Sequence, residues 1–118
     1  MDIIDIAAEA LKPLSDDGIT VRQGWYDEGL HKIHVTLWNL SGRPNSFSDD
    51  DEDVEFGMIQ VNIWSKKDQI SLKRRIKKLM KSAGFIFVEE NDEAETDTRI
   101  FVNAMRFLLI REAEETEE

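Results

Sequence analysis

Between residues 32 and 38 the chain alternates. Ile33, Val35 and Leu37 fall on one side and Lys32, His34, Thr36 and Trp38 on the other, the period of two that marks a half-buried β-strand. Residues 54–64 repeat the design, with Ile59, Val61 and Ile63 against Gln60, Asn62 and Trp64. A shorter strand is expected near 19–23. Elsewhere the period lengthens. Ile3, Ile4, Ala7, Ala8 and Leu11 recur at helical spacing behind Asp2, a residue able to cap, so 2–12 reads as a short amphipathic helix ended by Pro13 and the turn-like Ser15-Asp16-Asp17-Gly18. Leu72, Ile76, Leu79, Met80 and Ala83 predict a second helix over 68–83, with Asp68 as its N-cap and Gly84 as the left-handed residue beyond its end.

After Gly84, residues 85–90 read as a short strand, 91–98 as an acidic hairpin-like loop and 99–111 as a long final strand. That strand is apolar on both sides: Ile100, Val102, Ala104 and Leu108 lie on one, and Phe101, Met105, Phe107 and Leu109 on the other. In a small domain its second face must be covered, by the chain's own loops or by another subunit. The order α, β, β, β, α, β, β predicts an α+β fold, a mostly antiparallel sheet of about four to five strands packed on one face by two helices. Residues 41–53, SGRPNSFSDDDED, offer little to bury and read as a long acidic loop. The expected organisation is a single domain over 1–111 with an acidic C-terminal tail at 112–118.

Composition narrows the function. The 118 residues suit one domain, and 41% hydrophobic with 34% charged residues describe a globular chain with a charge-rich surface. A net charge of −10 argues against general affinity for nucleic acid. The charge is polarised, however. Between Lys66 and Lys81 eight bases accompany one acid, Asp68, a segment of +7 that leaves −17 for the rest of the chain. Without cysteine there is no disulfide, thiolate nucleophile or Cys-ligated zinc, so stability must come from packing. No apolar run approaches the ~20 residues that span a bilayer, and acids stand where a signal peptide carries bases. The expectation is a protein without membrane attachment that stays where it is made.

Candidate chemistry is sparse. The acidic run 49–55 lacks the ligand alternation and central glycine of a calcium loop, and His31 and His34, three apart on a strand, face opposite sides, so no metal site is expected. There is no nucleophile elbow and no Gly-rich phosphate loop, and hence no enzyme or cofactor is expected. The helix over 68–83 could serve a nucleic-acid-binding module, but the segment has no aromatic residue for stacking. Its bases equally suit a solvated face or a docking surface for another subunit's acids. Interface candidates are Trp38, Trp64 and Phe107, since aromatics concentrate at the energetic centres of interfaces, the alternative being that they complete the monomer core. The charged candidates are Asp49, Asp50 and Asp51 in the acidic loop and Lys73, Arg74, Lys77 and Lys78 on the helix.

The DDDED loop, the strand GMIQVNIWSKKD, a basic helix ending KSAGF, the acidic hairpin EENDEAETDTRIF and the terminal NAMRFLL together resemble the tail-completion, or head-tail joining, proteins of siphophages and their prophages. The resemblance covers residues 30 to 110. Its most specific pieces are Gln60-Val61-Asn62-Ile63-Trp64-Ser65, Ala83-Gly84-Phe85 and Ala104-Met105-Arg106-Phe107. Where family members often carry His or another polar residue ahead of the Arg-Phe pair, this chain has Val102-Asn103. The resemblance implies a structural subunit of the virion, assembled in the host cytoplasm into a ring, typically hexameric, at the head-tail junction. Its implied partners are further copies of itself, the head connector protein, and a tail tube or tail terminator protein, with DNA only in transit and no cofactor. The alternatives are the nucleic-acid-binding module and a prophage-encoded regulator that binds a host protein.

Overall fold

The computed structural model describes residues 1–24, 32–40, 54–95 and 99–112. The acidic loop 41–53 with Asp49, Asp50 and Asp51, His31, and the tail beyond Glu112 lie outside the described residues.

Strands β1 (Thr20–Gln23), β2 (His34–Asn39), β3 (Val54–Ser65), β4 (Ile86–Glu95) and β5 (Ile100–Glu112) form one five-stranded sheet in the order β1-β2-β3-β5-β4. Every pairing is antiparallel except β1 with β2. Alternation sets the two faces. Val35 and Leu37, Ile59, Val61 and Ile63, and Met105 and Phe107 share one face in register, and all are buried. Helices α1 (Ile3–Ala10), α2 (Lys12–Asp16) and α3 (Ile70–Ser82) cover that face. Ile3, Ala7, Leu11, Leu14, Leu72, Ile76 and Met80 complete the core from the helical side. Each large apolar side chain so buried contributes roughly 1.5–3 kcal/mol.

Local sequence explains how these elements end. Gly84 takes φ +99°, its amide donates to Lys81 O, and the amide of Phe85 donates to Met80 O, which also accepts from the Ala83 amide, so these carbonyls near the end of α3 are satisfied. Phe85 is thereby delivered into the core. The N-terminus of α3 departs from expectation: Gln69 is the N-cap and makes no side-chain capping bond, while Asp68 forms an ion pair with Lys73 Nζ at 2.7 Å. A carboxylate one residue outside the cap still sits near the positive end of the helix dipole. Pro13 does not end the N-terminal helical segment. It occupies the first turn of α2, where a missing N–H costs nothing, and the break falls at Leu11.

The largest correction concerns residues 91–95. Asn91 to Glu95 belong to β4 and pair with Ala104 to Ile100 on β5, so the expected acidic loop is mostly strand. Composition pointed to a loop because acids disfavour buried strands. β4 is an edge strand with exposed side chains, and there such residues are tolerated and limit stray pairing. A bulge between Phe87 and Glu89 shifts its register.

Candidate protein interface

The opposite face of the sheet carries none of the described helices. Across β2, β3, β5 and β4 its central row is Trp38, Gln60, Arg106 and Glu89; next to it lie Thr36, Asn62, Ala104 and Asn91, then His34, Trp64, Val102 and Glu93. One hydrogen-bonded chain crosses all four strands. Arg106 Nη1 donates to Glu89 Oε1 and its Nε to Gln60 Oε1, each at 3.1 Å. Gln60 Nε2 donates to Asn62 Oδ1 at 2.8 Å, and Asn62 Nδ2 donates to Thr36 Oγ1 at 3.3 Å. Thr36 Oγ1 also accepts from Trp64 Nε1 at 2.9 Å. Gln60, Asn62 and Thr36 are buried, so these bonds offset their desolvation and hold the Trp64 ring at a set angle. The His34 ring stacks on Trp64 with centroids 6.3 Å apart.

Trp38 and Trp64 line one side of a cleft of about 270 Å³, floored by Gln60, Asn62 and Ala104 and bounded across by Glu89, Asn91 and Glu93. The Trp38 indole donates to Gly24 O, tying the end of β1 to β2. Beyond the cleft the same face turns apolar. Met58, Leu108 and Ile86 align across β3, β5 and β4, with Phe56 and Ile110 paired in the following row. Leu40, whose amide donates to Met58 O at 2.8 Å, extends the row past β2. Leu40, Ile86 and Ile110 are exposed by 40–53%. Three aliphatic groups exposed to that extent on one sheet end mark a surface suited to burial against a protein.

The sequence-derived candidates separate here. Trp38 and Trp64 line the same cleft on the face without described helices. Phe107 does not join them; it is 1% exposed in the core and meets the Phe87 ring edge to face at 5.7 Å, with Phe87 the exposed member of that pair. The four helix bases also divide. Lys73 and Lys77 turn toward β4, Lys73 between Asp68 and Asp92 and Lys77 against Glu90, with Lys77 Nζ 4.7 Å above the Phe87 ring. Arg74 and Lys78 project outward and are exposed. Arg106, Gln60 and Glu89 are not among the interface candidates that the sequence offers. The available signal was polar residues of high hydrogen-bonding capacity at strand centres.

Electrostatics beneath α3 is consistent with this division. The hydrogen bond from Lys77 holds the Glu90 pKa below the ordinary carboxylate range, helped by Asn103, while burial opposes it. Asp92 is likewise lowered, first by the bond from Asn103 and then by Lys73. Lys73 is raised, chiefly by its bond to Asp68. Asn103 Nδ2 donates to both carboxylates, at 2.9 and 2.8 Å, and is itself buried. These groups serve the packing of α3 on β4. Among the described residues no group of three or more His, Cys, Asp or Glu could hold a metal ion, and no helix is long and apolar enough to cross a membrane. The sequence matches no protein-family model and no curated protein.

Proposed function

We propose that this chain is a structural virion component that forms a ring at the head-tail junction of a siphophage or prophage, joining the capsid connector to the tail tube. The resemblance in segment order and spacing supplies the family. The observation that carries the reading to this molecule is the sheet face without described helices, where Leu40, Met58, Leu108 and Ile86 form an aliphatic row beside a hydrogen-bonded cleft with two indoles. Such a surface binds protein: its apolar part supplies burial and its hydrogen-bonded part supplies a fixed shape. On this reading the subunit performs no chemical step and meets DNA only as it passes.

Sedimentation velocity tests the proposal. Alone, the protein is expected to sediment as a monomer or a weak associate; with purified connector or tail-tube protein it enters a ring-sized complex. No association under any of these conditions overturns the ring reading.

A second reading, the nucleic-acid-binding module, draws on the outward exposure of Arg74 and Lys78. It loses ground because Lys73 and Lys77 are engaged by carboxylates of the same chain. Changing Lys73, Arg74, Lys77 and Lys78 to Glu would abolish a salt-sensitive DNA affinity if this reading held. Absence of any binding by the parent at low salt eliminates it.

A further inference from the structure

Both long helices present charge away from the sheet, with opposite signs. On α3 the outward stripe is Arg74, Lys78 and Lys81; on α1 it is Asp2, at the N-cap, followed by Asp5 and Glu9. All six are exposed, and none makes an ion pair among the described residues. The other α3 bases are already matched within the chain, Arg75 to Asp17, Lys73 to Asp68 and Asp92, and Lys77 to Glu90.

The spacings correspond. Asp2, Asp5 and Glu9 are separated by steps of three and four residues; Lys81, Lys78 and Arg74, read backwards, are separated by the same steps. At ~1.5 Å per residue each stripe is about 10 Å long. Two helices laid antiparallel therefore bring Asp2 opposite Lys81, Asp5 opposite Lys78 and Glu9 opposite Arg74. Antiparallel packing also sets the negative end of α3 beside the positive end of α1. The next residues do not clash in charge. One turn beyond Glu9 is Lys12, and before Arg74 come Ser71 and the 54%-exposed Ile70, over which a lysine stem can lie.

We infer that α3 of one copy docks antiparallel on α1 of a second copy, through Arg74–Glu9, Lys78–Asp5 and Lys81–Asp2. The occupant is a second copy because this chain carries both the basic stripe and an acidic stripe of the same length and matching spacing. The pairing rests on reading the chain as a self-assembling subunit and specifies which surfaces meet. Because the two stripes differ, each docked pair leaves a basic and an acidic stripe available for further copies, the condition for a head-to-tail ring. Exposed ion pairs are weak and salt-screened, so the contact steers and orients subunits held close by a shared partner.

The absence of cysteine permits a direct test. Lys78→Cys and Asp5→Cys, made in separate chains with one tagged for size, are mixed at low salt under mild oxidation. The expected result is a disulfide between the two different chains, well above either homodimer. Its yield should fall about tenfold in high salt. It should fall comparably when Arg74→Glu and Lys81→Glu are added to the first chain, and recover when Asp2→Lys and Glu9→Lys are added to the second. Far-UV circular dichroism and urea midpoints confirm that each variant is folded. A yield no greater than the homodimers, or one indifferent to salt and charge reversal, overturns the pairing. So does retention of a short DNA duplex by the parent that depends on the basic stripe, in place of the disulfide.

Sedimentation of the same charge-reversed chain separates this claim from the ring. Rings that persist with the connector overturn the pairing and leave the ring reading intact. A salt-sensitive disulfide from a parent that never forms rings supports the pairing and removes the ring reading.

Discussion

Ile3 lies against Gly57 so closely that a Cβ on Gly57 would stand 2.4 Å from Ile3 Cδ1, 2.8 Å from its Cγ2 and 3.0 Å from its Cβ. The contact is how the start of α1 packs down on β3. Because the conflict includes the Ile3 Cβ, rotating the side chain does not clear it. Gly57→Ala is expected to destabilise the fold by about 1–3 kcal/mol through overpacking. Urea midpoints measure the loss, and adding Ile3→Ala should not restore the parent value, since it deletes a buried core side chain and still leaves the approach of the two Cβ atoms. A neutral Gly57→Ala would show that α1 shifts without cost.

Phe107 and Ile86 should respond in opposite ways. Phe107 is buried at the centre of β5, so Phe107→Ala should cost about 3–5 kcal/mol and endanger folding. Ile86→Ser removes a 53%-exposed side chain and should change the urea midpoint little. In sedimentation with the connector or tail-tube protein, Ile86→Ser should weaken the complex if the open face is the contact. An unaltered complex would move the contact elsewhere.

Acid should loosen α3 from β4. Lys77, Asn103 and Lys73 hold the pKa values of Glu90 and Asp92 below their ordinary ones, so on acidification the unfolded chain takes up protons before the folded one. The stability these carboxylates contribute is present above their unfolded-state pKa values and is lost as pH falls through the depressed folded ones, below about pH 4. Denaturation as a function of pH should show a shallower acid slope for Glu90→Gln with Asp92→Asn than for the parent. Equal slopes would assign acid sensitivity to other carboxylates.

Asn103→Asp provides the converse. It replaces a buried donor with a third acceptor between Glu90 and Asp92, and should cost about 2 kcal/mol or more at neutral pH. Part of that loss should return on mild acidification, as the crowded carboxyls protonate. Asn103→Ser, without the added charge, should show no such recovery.

The periods of the sequence by themselves determined that the chain is α+β, that Val35, Leu37, Ile59, Val61 and Ile63 share a buried face, that α3 packs through Leu72, Ile76 and Met80, and that it ends at Gly84. These are local consequences of spacing and of glycine's freedom at positive φ. Only the tertiary structure decided matters that depend on distant partners. Alternation showed that β5 is apolar on both sides, but not that Phe107 would lie under the helices and leave Phe87 at the surface. That depends on which face the helices cover. Composition marked residues 91–95 as loop; pairing with β5, an exposed edge position and the cations of α3 made them strand. The same long-range packing turned Lys73 and Lys77 inward and left Arg74, Lys78 and Lys81 facing out, a division set by where β4 lies beneath the helix.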